Sequence, residues 1–165
     1  MAEDIKFRHT MPVQIRFSDV DQFGHMNNSV YFSLYDLAKT TYIKDVLGSA
    51  DWSKLAIVVA NINANFFMPV FFSDHLVIET AVVHLGHKSF TLLQRAVTTD
   101  THEVKCECRT VMVGYDLATK EPKLISEDYI INVSIAPPCV AGTGRSPGAI
   151  KQIRFNGIFI SHAGY

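Results

Sequence analysis

Asp19, Asp21, Gly24, His25, Asn27 and Asn28 fall within ten residues of one another, in the run Arg-Phe-Ser-Asp-Val-Asp-Gln-Phe-Gly-His-Met-Asn-Asn-Ser-Val-Tyr from Arg16 to Tyr31. A carboxylate in such a setting can attack a carbonyl or activate a water against it. The free amides of a helix's first turn, at the positive end of its dipole, can hold the oxyanion that results. Asp21 precedes a candidate helix cap at Asn27 or Asn28 by six or seven residues, and Gly24 lets the backbone fold tightly between them. A carbonyl resting on the amides of residues 27 to 29 would then face Asp21. His25 and the Asn27 or Asn28 side chain would orient the water or bond the leaving group. On residue types alone, this catalytic arrangement and a pair of aspartates that merely cap and brace the loop fit equally well.

Other chemistry fits less well. A calcium loop counted from Asp19 needs Asp or Asn at its fifth position and Glu at its twelfth, where this chain has Phe23 and Val30. A metal held by Asp19, Asp21 and His25 would need a further ligand that the sequence does not show. A Gly-x-Ser-x-Gly elbow is absent from the sequence. Cys106 and Cys108 alternate on a strand-like run, as packing residues do, and His84 and His87 sit at a strand end and turn. Neither a metal nor a cofactor is expected.

The elements that must position the loop can be read around it. Residues 12–17 alternate, with Val13, Ile15 and Phe17 on one face, the pattern of a half-buried first strand. After the loop, a helix starts near Asn27 or Asn28, since asparagine accepts from first-turn amides. Val30, Leu34, Leu37, Ala38 and Thr41 recur at helical spacing, and Tyr31, Phe32, Tyr35 and Tyr42 widen the apolar surface. Lys44 suits the last turn and Gly48 a C-terminal stop. About twenty residues make a helix of roughly 30 Å, apolar enough around its girth to need wrapping. Four runs supply the wrapping sheet: residues 60–66, 75–85, 89–98 and 104–115. Short polar connections such as Gly86-His87-Lys88 join them, as antiparallel neighbours require. Strand, long helix, then strands is an α+β order.

Bulk composition narrows the class further. The 165 residues are 48% hydrophobic and 19% charged, with a formal net charge of −1. Such a chain is globular, without a bulk electrostatic case for nucleic acid or anionic membrane. Three cysteines give no disulfide framework and fit a reducing cytoplasm. The first residues carry no signal-peptide pattern and no apolar run is long enough for a membrane span. Residues 129–165 differ from the rest: they lack Asp and Glu, and hold three of the six prolines and five of the nine glycines. They are expected to form an extension to a domain spanning residues 1–128.

The pattern Asp-x-Asp-x-x-Gly-His-x-Asn-Asn-x-x-Tyr, after a short strand and opening a long apolar helix, resembles the hotdog-fold acyl-CoA thioesterases of the 4-hydroxybenzoyl-CoA thioesterase type. Here it reads Asp19, Asp21, Gly24, His25, Asn27, Asn28 and Tyr31, and the likeness runs over about residues 10–128. The resemblance implies a curved five-stranded antiparallel sheet wrapped around one central helix. It implies hydrolysis of an acyl-CoA to free acid and CoA, with Asp21 as nucleophile or general base and the helix N-terminus near Asn28 as oxyanion site. His25, Asn27 and Asn28 join Asp21 as catalytic candidates, while Tyr31, Lys88 and Ser89 become substrate-binding candidates. The last two belong to the turn Leu85-Gly86-His87-Lys88-Ser89-Phe90, which in the family often lies along the CoA arm. Family members pair across a two-fold axis, which implies a homodimer or homotetramer with the site at the subunit interface. The Pro/Gly-rich tail is a departure from the family pattern.

Two rivals share the loop. An acyl-acyl-carrier-protein thioesterase would need a basic docking surface, to which only Arg145, Lys151 and Arg154 would contribute locally. A non-catalytic acyl-thioester binding module is weakened by the intact aspartate and asparagines.

Overall fold

The computed structural model describes residues 5–47 and 56–125. Gly48 and the segment 129–165 lie outside the described residues. Five strands and one helix follow in the order β1 (His9–Val13), α1 (Asn28–Leu47), β2 (Ile57–Phe66), β3 (Leu76–Leu85), β4 (Ser89–Thr98) and β5 (Val104–Gly114). All pairings are antiparallel and the sheet runs β1-β3-β4-β5-β2. The curved sheet with a single long helix is the α+β arrangement expected.

The helix begins and spans as the sequence indicates, but its buried face is different. Tyr31, Tyr35, Ala38 and Tyr42 form the buried stripe, spaced four, three and four residues apart, with Val30 and Leu34 packed at its margin. Leu37, expected in that stripe, is 56% exposed. A helix apolar around most of its girth does not reveal by periodicity which face turns inward. Large aromatic rings bury more surface per residue than a leucine does, and they win. Tyr35 fastens α1 to the sheet twice. Its hydroxyl donates to the Cys106 carbonyl (3.1 Å), and its own carbonyl accepts from Gln94 Nε2 (2.9 Å). Both groups are buried, where a lost partner costs about 1–3 kcal/mol.

The first strand is shifted from its expected position. It occupies His9–Val13, not residues 12–17, because its partner β3 begins at Leu76, opposite Val13. Beyond Val13 there is no ladder left to join. Ile15 still packs on the core, while Phe17 leaves the strand for a short 3-10 turn over Phe17–Asp19 and becomes highly exposed. In β2, strict alternation is visible only from Ala60, because a bulge between Val59 and Asn61 resets the register against β5, as an extra residue in one strand does. The strand itself starts three residues earlier, at Ile57.

The core divides along the helix. One cluster gathers Met26, Tyr31, Tyr35 and Ala38 with Val70, Leu76 and Ile78, and underlies the polar loop. A second, around Tyr42, Ile43, Phe90, Leu92 and Met112, fills the other end.

Candidate active site

The loop between β1 and α1 is built almost entirely from backbone hydrogen bonds, with Asp19 and Asp21 as its two pins. Asp19 Oδ2 accepts from the Arg16 amide (2.8 Å), and the Asp19 amide donates back to the Arg16 carbonyl (3.0 Å). The Asp19 carbonyl then accepts from the Asn27 amide at 2.8 Å. One residue thus ties the strand exit to the helix start. Asp19 braces the loop.

Asp21 folds the tip. Its Oδ1 accepts from the Phe23 amide (2.8 Å) and the His25 amide (3.3 Å), while its own amide donates to the His25 carbonyl (2.8 Å). Short acidic side chains commonly close turns in this way. The Gly24 amide reaches the Asp21 carbonyl (3.0 Å), and Gly24 has a φ of +79°. That left-handed backbone conformation suits glycine. Asp21 Oδ2 accepts no hydrogen bond among the described residues, and the residue is only partly buried. One oxygen is spent on architecture and the other is available.

The helix start is more selective than the sequence suggests. Asn27 is the cap: its Oδ1 accepts from the Ser29 amide (2.9 Å) and the Ser29 hydroxyl (2.8 Å), the usual way a capping side chain satisfies a first-turn donor. The Asn27 amide is taken by Asp19, and the Val30 amide donates to the Asn27 carbonyl at 2.9 Å. Of the three amides at residues 27 to 29, only that of Asn28 engages nothing among the described residues. The candidate oxyanion donor narrows to that single group. The Asn27 side-chain oxygen is likewise committed to the cap, so only its amide nitrogen is left for any other role.

His25 acts first through its backbone. Its ring packs edge-on against Phe71, with centroids 5.2 Å apart, across an isolated β-bridge between the two residues. The neighbouring Met26 amide donates to the Val70 carbonyl at 2.7 Å, and both of those side chains are buried. The segment Val70–Asp74 therefore holds the loop from behind, closed by its own turn in which Asp74 Oδ2 accepts from the Phe71 amide (3.0 Å). In the sequence this stretch stands out only as a chain break. The signal available was the aromatic pair Phe71-Phe72 between Pro69 and Asp74.

The remaining candidates fall elsewhere. Tyr31 is 2% exposed, its ring edge-on to Phe66 (5.3 Å) beneath the first helical turns. Burial drives its phenol pKa well above the ordinary tyrosine range, because an apolar setting penalises the phenolate. Lys88 and Ser89 sit at the β3–β4 turn, where the Gly86 amide donates to the Ser89 carbonyl (2.7 Å) and the Gly114 amide to the Lys88 carbonyl (2.9 Å). The loop adjoins the Leu76 end of β3 and the turn follows Leu85. A strand of that length separates them by roughly 30 Å. One protomer does not bring them to Asp21.

Cys106 and Cys108 are free and buried, and burial pushes the Cys106 thiol up to about 11, far from a nucleophile's range. Among the described residues, no group of three or more His, Cys, Asp or Glu could hold a metal ion, and no helix is long and apolar enough to cross a membrane.

A family model described as the thioesterase-like superfamily matches residues 15–133. The long-chain acyl-CoA thioesterase FadM of Escherichia coli (strain K12) is 28% identical over 112 residues, covering 66% of this chain and 84% of that protein. The uncharacterized protein YsmA of Bacillus subtilis (strain 168) is 30% identical over 80 residues, 48% of this chain and 54% of its own length, so the chain spans about half of that relative. Among solved structures, a thioesterase from Thermus thermophilus, complexed with coenzyme A and Zn, superposes with a TM-score of 0.67 at 25% identity. The match covers 75% of this chain and 90% of that one.

Proposed function

The chain belongs to the thioesterase-like superfamily, and from that premise we propose that it hydrolyses the thioester of an acyl-CoA to the free acid and CoA. The observation that carries the reading is the divided labour of Asp21. Oδ1 is pinned by the Phe23 and His25 amides, and Oδ2 accepts no hydrogen bond among the described residues, so one oxygen of the loop carboxylate is left for the substrate. The thioester carbonyl oxygen rests on the Asn28 amide, at the positive end of the helix dipole, where the developing oxyanion is stabilised. Asp21 attacks the carbonyl carbon directly or takes a proton from the water that does. Either way the carbon–sulfur bond breaks, the thiolate leaves as CoA after protonation, and water supplies the oxygen of the released acid. His25 and the Asn27 amide nitrogen flank the attacking water and the leaving sulfur, and Tyr31 supports the first turn from below.

The working unit is a homodimer or homotetramer with the site at the subunit interface. Two features support this. β2 is an edge strand of ten residues with almost every side chain exposed, including Val58, Val59, Ile62 and Phe66. It contains neither lysine nor proline to discourage pairing. Lys88 and Ser89, the residues offered to the CoA arm, reach Asp21 only if a second protomer supplies them. The buried free thiols suit a reducing compartment, and we place the protein in the cytoplasm.

The test is thiol release from a panel of short, long and aromatic acyl-CoAs, with Asp21→Asn beside the native protein. Native turnover with loss of about 10²–10⁴-fold in the variant is expected. Near-native turnover by Asp21→Asn sinks the mechanism. Cleavage confined to acyl-carrier-protein substrates changes the carrier, and binding without cleavage of either makes this a binding module.

A further inference from the structure

Four exposed aromatic rings surround the loop that carries Asp21. Phe17 is 87% exposed, Phe23 73%, Phe72 55% and Phe71 44%. Three of the four make ring contacts. Phe17 meets Phe72 edge-to-face with centroids 6.4 Å apart, and Phe71 meets the His25 ring. Contiguous exposed apolar surface on a soluble chain marks a binding surface.

The bonds that place Asp21 also place these rings. The Phe23 and His25 amides are the two donors to Asp21 Oδ1, Phe17 opens the 3-10 turn that ends at Asp19, and Phe71 bridges His25. Asp21 and these rings therefore belong to one bonded unit, the loop and the segment that backs it. Lys88, the cation offered to the CoA arm, lies at the opposite end of β3. The CoA arm is then met by Lys88 from a second protomer, and this protomer's loop end is left to the acyl half.

We propose that Phe17, Phe71 and Phe72 form the acyl-binding wall of the site and select extended alkyl or aryl acyl groups over acetyl-sized ones. The inference rests on the thioesterase reading and adds its substrate class. Each methylene fully covered by apolar surface is worth about fourfold in affinity, so a chain laid along these rings gains with length while an acetyl group has nothing to lay there. Aromatic faces and edges also favour an aryl ester over a small aliphatic one.

The experiment uses the full chain, native and as Phe17→Ala, Phe72→Ala and Phe72→Leu. kcat and KM are measured for acetyl-, octanoyl-, palmitoyl- and benzoyl-CoA, with the oligomeric state followed by light scattering. The same four esters are titrated calorimetrically into Asp21→Asn, alone and combined with Phe72→Ala. Native kcat/KM is expected to rise at least tenfold from acetyl- to octanoyl-CoA. Either alanine variant should flatten that rise at least fivefold, chiefly through KM, and Phe72→Leu should restore most of it. A flat native profile overturns the proposal, as does a variant that lowers all four esters by one factor. Loss of the oligomer with the chain-length slope intact also overturns it, and shows that the rings cover a second copy of the chain. If no ester is cleaved but calorimetry still shows tighter, Phe72-dependent binding of longer chains, the hydrolase reading falls and the acyl wall stands. If binding is also independent of length, both fall.

Discussion

The molecule places a histidine beside an aspartate at each end of α1, and the two pairs are opposites. At the start, His25 and Asp21 meet through backbone amides in a partly exposed loop, with the imidazole edge-on to Phe71. About 26 Å further along the helix axis, the second pair closes the other end. There His9 Nε2 lies 3.2 Å from Asp45 Oδ2, with the imidazole edge-on to Tyr42 at 5.5 Å. This histidine is 3% exposed and its Nδ1 is buried with no hydrogen-bond partner among the described residues. The same two residue types and the same aromatic edge serve different ends. What separates them is water and the helix dipole. A carboxylate at the N-terminal end is favoured by the dipole, whereas Asp45 in the last turn is disfavoured by it and is held in place by its contact with the neutral His9 ring. Burial turns the second pair into a latch between β1 and α1.

Exchanging the two aspartates for asparagine tests that contrast most severely. In Asp21→Asn the carboxamide oxygen can still accept from the Phe23 and His25 amides, so the loop keeps its shape while the carboxylate proposed as nucleophile or base is gone. Turnover should fall about 10²–10⁴-fold, with unfolding free energy within about 0.5 kcal/mol of native. Asp45→Asn should do the reverse: lower stability in urea unfolding, with native kcat. If Asp45→Asn loses turnover as heavily as Asp21→Asn, the two ends are not functionally distinct.

The second test is pH. Burial holds His9 below its ordinary value of 6.5, against the opposing pull of Asp45, so the folded protein keeps this imidazole neutral. The unfolded chain takes up a proton near that ordinary value and the folded chain does not until lower pH. The stability contribution is therefore complete above about pH 6.5 and is lost as pH falls towards the depressed folded value. The slope from this one site is at most about 1.4 kcal/mol per pH unit. Besides Asp45, Tyr42 from the same helix faces the ring, and His9 pairs with Thr80 of β3. Urea unfolding at pH 7.5, 6.5 and 5.5 should show the acid loss in native protein and a shallower slope in His9→Gln. An unchanged slope in the variant would assign the acid sensitivity to other groups.

Much of the loop end is legible in the sequence and little of the latch. Asn27 as cap, Gly24 as pivot and the twenty-residue helix all follow from local chemistry, since caps and positive-φ turns need particular side chains within a few positions. β4 is legible at both ends because Gly86-His87-Lys88 and residues 99–103 are too short and polar to be anything but turns. β1 lies three or four residues from its expected place because its extent depends on where β3 begins, some sixty residues later in the chain. The His9–Asp45 pair is separated by 36 positions and resembles two ordinary surface residues until the helix folds back over β1. The backing segment Val70–Asp74 escapes notice for the same reason. Its role is a contact with the loop, and contacts between distant segments leave no periodicity.

The smallest expected effect bears on the finest claim at the loop end, that Asn28 supplies the oxyanion amide because Asn27 keeps Ser29 occupied. Asn27→Ala removes the cap and should cost about 1 kcal/mol of stability. It also frees the Ser29 amide, so its effect on turnover mixes two causes. Asn27→Asp keeps the cap and, like Asn27→Ala, lacks the side-chain nitrogen proposed beside the leaving sulfur, so the difference between the two variants isolates the added charge. Aspartate caps as well as asparagine and suits the dipole, so stability should stay within about 0.5 kcal/mol of native. The variant nevertheless sets a negative charge beside a developing oxyanion, which opposes the charge the site must stabilise. A fall in kcat of roughly tenfold, about 1.4 kcal/mol in the barrier, with KM little altered, is the expected split. Raising salt should not restore the rate, because a charge this close to the reacting carbonyl is screened much less than separated surface charges are. If Asn27→Asp keeps full kcat, negative charge does not accumulate at this helix start, and the oxyanion must be held elsewhere, for example by groups from a second protomer. If instead kcat falls and Asn27→Ala falls no further than its stability loss explains, the amide of Asn28 is sufficient, and the cap serves the reaction by keeping that amide in place.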